Sequence, residues 1–167
     1  MPNTKTKSIF GSAIEVFAVV GLLLHALLVL ATWNLLPESI PVHFNFAGQP
    51  DAFGARSDLL LLLGLSVLFY VGLTWLARYP QKVNYPWKIT EQKAPQQYAL
   101  ASGFMRVIKL QTVWLFAIIA LQMIGISFGL ASGLGYLFVP LVLAVTSATI
   151  IGYFVVASRS TFEKTMR

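Results

Sequence analysis

Apolar residues gather into four long blocks along the chain, separated by three segments of mixed character. The blocks cover about residues 9–35, 59–77, 110–128 and 137–157. A helix needs about 20 apolar residues to cross a bilayer, and each block supplies close to that length. The second carries no charge at all. The pattern predicts four membrane-spanning helices.

Residues at the block ends agree with this. Pro37 follows the first block. Ser57 suits the N-cap of the second helix, with Asp58 in its first turn, where a negative charge meets the positive helix end. Arg78 falls in that helix's last turn, and Pro80 lies just beyond it. Gly133 and Gly135 form the link into the fourth helix. Pro140 is tolerated in a first turn, so that helix starts at Leu137 or Phe138.

The segments between the blocks read differently from one another. In 37–58, Ile40, Val42, Phe44 and Phe46 alternate with Pro41, His43 and Asn45. A period of two predicts extended chain, its apolar side on the bilayer interface or the helix tops. Gly48-Gln49-Pro50-Asp51 then reads as a turn. The expected course is one short strand, a reversal and the return helix. In 78–109, Tyr79, Tyr85 and Trp87 suit the headgroup layer. Pro95 suits the first position of a helix that runs unbroken into the third span. Arg106 and Lys109 are expected to snorkel back to the interface. This basic segment serves as a membrane anchor or, alternatively, as a contact for anionic lipid or a partner.

Composition turns the pattern into a class. The chain is 57% hydrophobic and 11% charged, whereas a soluble domain carries about 25% charged residues. The net charge is +6, but nucleic-acid binding needs a basic stripe on a water-exposed fold. Here the cations collect between apolar blocks. Lys5 and Lys7 precede the first. Arg78, Lys82, Lys88, Lys93, Arg106 and Lys109 lie between the second and third. Arg159, Lys164 and Arg167 follow the fourth. Arg56 stands alone between the first two, beside Glu38, Asp51 and Asp58. Positive residues stay on the cytoplasmic side, so both termini are expected inside and segment 37–58 outside. Val29-Leu30-Ala31 resembles a signal-peptidase site, but the first block exceeds the usual apolar run of about 7–15 residues in such leaders. A span is expected there.

Candidate chemistry is sparse. With no cysteine, disulfides, thiolate metal sites and a cysteine nucleophile are excluded. His43, Asp51, Asp58 and Glu38 are the outward groups able to bind a metal or move a proton. A hydrolytic zinc site takes three protein ligands, and this segment has one histidine. No H-E-x-x-H, G-x-S-x-G or phosphate-cradling glycine loop occurs. The expectation is no enzyme, no cofactor and no metal. His43 and Asn45 are expected to order the loop by local hydrogen bonds, and Asp51 to form an Asx-type turn. The alternative makes them polar contacts for a ligand, framed by Pro41, Gly48 and Pro50.

Inside the spans, Glu15, His25 and Gln122 are the polar candidates, since ionisable groups at membrane depth raise a functional hypothesis. Glu15 is near one end and expected to reach the headgroups. His25 lies about 15 Å further along the helix and roughly 80° around it, so the two do not pair directly. Gln122, Thr146, Ser147 or Thr149 is the expected hydrogen-bond partner of His25. Gly125, Gly129 and Gly133, of which only the first two are expected to be helical, and Ala144, Ala148 and Gly152 repeat every four residues and suit close packing within one chain or in a homo-oligomer. No internal repeat points to an inverted-repeat transporter.

Pro41-Val42-His43-Phe44-Asn45 followed by Gly48-x-Pro50-Asp51, just after a first span, resembles the bacterial membrane-protein family called domain of unknown function sixteen-forty-eight. That domain also forms the N-terminal part of SdpI-type immunity and signalling proteins. Asn84-Tyr85-Pro86-x-Lys88-Ile89-Thr90-Glu91 is similar to the cytoplasmic loop of its shorter members. Members often carry a lysine shortly after the Pro-Asp pair; Arg56 is the nearest cation here. SdpI-type proteins have a further membrane domain, which this chain is expected to lack.

The resulting expectation is an all-α integral membrane protein of a bacterial cytoplasmic (inner) membrane. It has four transmembrane helices in a single domain over 1–167 and a short extended extracytoplasmic loop. The function implied is non-enzymatic: sensing or binding an external peptide or small ligand, in the manner of immunity and signalling relatives. The alternative is a small transport or accessory subunit using His25 and Glu15. Expected partners are the lipid bilayer, a membrane protein or a second copy, and that external ligand, with no nucleic acid.

Overall fold

The computed structural model describes residues 4–162, with side chains for 11–160. Helix α1 (Thr4–Thr32) leads into strands β1 (Ser39–Phe44) and β2 (Pro50–Ala55). Helix α2 (Asp58–Arg78), a 3-10 turn at Pro80–Lys82, α3 (Ala94–Ser127) and α4 (Phe138–Phe162) follow. Among the described residues, four helices are long and apolar enough to cross a membrane. The protein is a multi-pass membrane protein on that basis.

It is not all-α. β1 and β2 form an antiparallel hairpin, where one strand and a return were expected. The second strand, Pro-Asp-Ala-Phe-Gly-Ala, has no alternation and is rich in residues that strands avoid. It is extended because the turn delivers it to the open edge of β1, whose backbone groups need partners. Phe46, assigned by period to the apolar face, stands instead in the turn and is exposed. There the two-residue period no longer holds.

The helix ends correct further details. α1 stops at Thr32 rather than near 35, because residues 33–36 form turns closed by the Thr32 carbonyl, which accepts from the N–H groups of Leu35 and Leu36. Ser57 sits at the N-cap of α2, but its side chain makes no capping bond. α3 ends at Ser127 in a Schellman arrangement: the Leu130 N–H donates to Gly125 O at 2.8 Å and the Gly129 N–H to Ile126 O at 2.9 Å. Gly129 adopts φ +72°, so of the Gly125-Gly129-Gly133 repeat only Gly125 is helical. The helix does not carry a small-residue stripe beyond it.

α3 is the organising element, packed against α1, α2 and α4. At about 1.5 Å per residue, its 34 residues reach about 51 Å, well beyond a hydrocarbon core of about 30 Å. Its early turns are tied down at the end opposite the hairpin. Ser102 Oγ donates to Ala77 O at 2.7 Å, and Gln97 Nε2 to Ala157 O at 3.0 Å. The main buried cluster lies at the hairpin end and joins Val29 and Leu36, Ile40 of β1, Leu59 of α2, and Ala120, Met123 and Ile124 of α3. α4 contributes nothing to this cluster. The faces of Ala144, Ala148 and Gly152 are exposed.

Candidate functional site

Two places gather polar side chains, one at each end of the bundle. At the first, the hairpin turn is built by Asn45. Its side-chain Oδ1 accepts the N–H groups of Ala47 (2.9 Å) and Gln49 (3.1 Å). Its backbone N–H donates to Gln49 O, and the Gly48 N–H to Asn45 O. Gly48 takes φ +76°, a region open to glycine at little cost. Its carbonyl accepts the Leu134 N–H at 2.7 Å. A Cβ on Gly48 would stand 2.6 Å from Gly135 O. Glycine is needed here for both angle and clearance, and the hairpin tip is fastened to the α3–α4 link.

The strand register explains how His43 meets Asp51. Pro41 pairs with Phe53, His43 with Ala52 and Phe44 with Pro50. Val42 is therefore an extra residue on β1 and Asp51 an extra residue on β2. Bulges of this kind re-aim side chains. His43 Nδ1 lies 2.5 Å from Asp51 Oδ1, and the side chains are 69% and 42% exposed. Asp51 thus bonds His43 across the hairpin, where an Asx-type turn was expected; Asn45 makes that turn instead. Pro41 is buried beneath the sheet and Pro50 begins β2. Arg56 anchors the hairpin base, its guanidinium 5.2 Å from the Trp33 ring centroid.

At the other end, Lys109 is 1% exposed. It does not snorkel outward. Its ammonium donates to Glu15 Oε1 (2.8 Å), Glu15 Oε2 (2.7 Å) and Thr74 Oγ1 (2.9 Å). All three ammonium hydrogens are engaged, and the charge lies 4.7 Å from the Tyr70 ring centroid. Tyr70 OH donates to Glu15 Oε1 at 2.7 Å. Glu15 is held by this pairing, drawn to a cation at matching depth on α3. The cluster ties α1, α2 and α3 together. Beside it opens a cavity of about 480 Å³ whose walls include Gly11, Ser12, Glu15, Thr74, Arg78, Arg106 and Lys109.

His25 is fully buried on α1, and neither ring nitrogen has a hydrogen-bond partner. Gln122, Thr146, Ser147 and Thr149 do not supply one. Thr149 is taken by Gln111, whose Nε2 donates to its Oγ1 at 2.7 Å. Among the described residues, no three histidine, cysteine, aspartate or glutamate side chains converge.

Lys109, Tyr70 and Thr74 were not candidates from sequence. A depth match could have found the first. α1 and α3 both run toward the hairpin; Glu15 lies 17 residues before the end of α1, and Lys109 lies 18 before the end of α3. A buried carboxylate calls for a cation at its own level. Tyr70 and Thr74, four apart on one face of α2, carried no such signal.

These features define a four-helix protein of membrane-spanning character with a stapled hairpin after its first helix. Residues 20–69, from α1 through the hairpin into α2, match the family described as Domain of unknown function (DUF1648). The chain is also similar to an uncharacterized protein of Archaeoglobus fulgidus, 33% identical over 84 residues. That match covers 46% of this chain and 46% of the archaeal protein. No solved structure matches the chain.

Proposed function

We propose that this chain is a non-enzymatic protein of a bacterial cytoplasmic membrane, with both termini inside, whose hairpin recognises an external peptide or small ligand. The resemblance to immunity and signalling proteins suggests that role. The observation that carries it is the prefolded hairpin. Its tip is fastened to the α3–α4 link, while His43, Asp51, Phe46 and Phe53 remain exposed. A surface already in shape loses less freedom on binding. α3 touches the hairpin cluster through Ala120, Met123 and Ile124 and carries Lys109 toward the other end of the bundle, so one continuous helix joins the two. The lone Arg56 between the first two spans supports the outward orientation.

Labelling in intact cells tests this. The chain has no cysteine, so Gln49→Cys gives a single reporter for a membrane-impermeant maleimide. Labelling from outside is expected, with Lys93→Cys labelled only after permeabilisation. Outside labelling of Lys93→Cys instead inverts the orientation and ends the external-ligand reading. A catalytic turnover lost on His43→Ala would end the non-enzymatic one.

A second reading, a small transport or accessory subunit, draws on His25, whose buried ring has no partner. The clamping of Glu15 by Lys109 and Tyr70 weighs against a proton path through both residues. His25→Leu should abolish a flux in a folded protein if that reading holds.

A further inference from the structure

We propose that the cavity beside the Glu15–Lys109 pair is a binding site for a phosphate group, carried by an anionic lipid headgroup or by a soluble phosphate ester. Its charged walls are Arg78 from α2, Arg106 and Lys109 from α3, and Glu15 from α1. Lys109 and Glu15 satisfy one another. That leaves two guanidinium groups, and among the described residues neither has an ion-pair partner. The four groups carry a net charge of +2, unbalanced at the edge of the apolar layer. A guanidinium presents paired donors that match phosphate oxygens. The volume of about 480 Å³ lies within the usual range of ligand pockets, about 300–1,000 Å³.

Two local features support a built site. At Gly11 a Cβ would stand 2.6 Å from a terminal nitrogen of Arg106, so the missing side chain lets that guanidinium lie against the α1 backbone. The depth is also that of headgroups. Trp75 on α2 and Tyr79 just beyond its end flank Arg78, and Lys82 Nζ lies 5.0 Å and 5.5 Å from their ring centroids. Aromatic rings with a nearby cation mark the membrane–water boundary, and basic pockets between helices at this level hold lipid phosphates. The site does not depend on which side of the membrane this end faces.

The test uses the full chain in nanodiscs of phosphatidylcholine alone or with added phosphatidylglycerol, reading the thermal unfolding midpoint. Phosphatidylglycerol should raise the midpoint of the wild type. Arg78→Gln/Arg106→Gln should lose the rise, with affinity about ten-fold weaker or more, the scale of one charge-assisted hydrogen bond. Lys88→Gln/Arg159→Gln removes the same charge outside the cavity and should keep the rise. Glycerol phosphate added to phosphatidylcholine discs separates the sources: a rise with it, and none with phosphatidylglycerol, assigns the site to a soluble ester. Because Glu15 keeps Lys109 in the cavity variant, folding is expected to survive. Arg106→Lys, which retains the charge and loses the paired donors, gives a milder variant that should bind more weakly than wild type. The proposal is overturned if no phosphate source raises the midpoint, if the cavity variants bind as wild type does, or if both double variants lose the rise equally.

Discussion

The hairpin and the Glu15–Lys109 cluster both hold distant parts of the chain together, and they do so with opposite materials. The hairpin uses backbone geometry. The side-chain bonds that shape its turn run between residues eight or fewer apart, and its one ion pair is open to water. The cluster uses side chains 94 and 55 residues apart, with the ammonium sealed from solvent. In water, an exposed pair is screened and gives up side-chain freedom for little gain. Inside the bundle the same attraction is much stronger, and losing one partner strands a charge. The conspicuous residues of the sequence therefore shape a loop, while ordinary Glu, Lys, Tyr and Thr carry the stronger electrostatics.

The sharpest way to break this contrast is Glu15→Leu. Removing one partner of a buried pair costs about 3–5 kcal/mol. Glu15 is itself 37% exposed and the cavity admits water, so the lower end of that range is expected. Glu15→Leu/Lys109→Leu should regain most of the loss, because no charge is left unpaired. Reversible unfolding in mixed micelles gives the comparison. Wild-type stability in the single variant would show that the pair is solvated and that the two ends are built alike.

Gly48→Ala comes next. The residue needs positive φ, and the added methyl meets the Gly135 backbone. A loss of about 1–3 kcal/mol is expected. Faster amide exchange at Leu134, whose N–H bonds Gly48 O, would locate the damage at the tip. Unchanged exchange there would mean that the tip is not held by the α3–α4 link. Asn45→Ala removes two side-chain bonds to backbone N–H groups in an exposed turn, and should cost about 1 kcal/mol.

How far the sequence foretold this follows from the same contrast. The helices were legible because a bilayer demands long apolar runs; the reversal was legible in part through Gly48, but it falls at Asn45–Gln49 rather than Gly48–Asp51, and Pro50 and Asp51 belong to β2. β2 was not, since Pro-Asp-Ala-Phe-Gly-Ala becomes a strand only by pairing with β1. The meeting of His43 with Asp51 was also hidden, because two bulges set it and a two-residue period assumes none. Lys109 looked like an interfacial cation because its partner lies on another helix. His25 was given partners by composition, but side-chain direction put them elsewhere.

The smallest expected effect discriminates best between a structural and a contacting hairpin. His43→Ala and Asp51→Ala, singly and together, form a double-mutant cycle. With side chains 69% and 42% exposed, the coupling should stay within about 0–1 kcal/mol. The bulges that aim the two side chains at one another would then be doing something other than stabilising the fold, which is what a recognition surface requires. A coupling that rivals the loss in Gly48→Ala would instead make the pair a staple for the bulged register. The recognising surface would then have to be sought in the exposed rings of Phe46 and Phe53, which the same hairpin carries and which neither substitution touches.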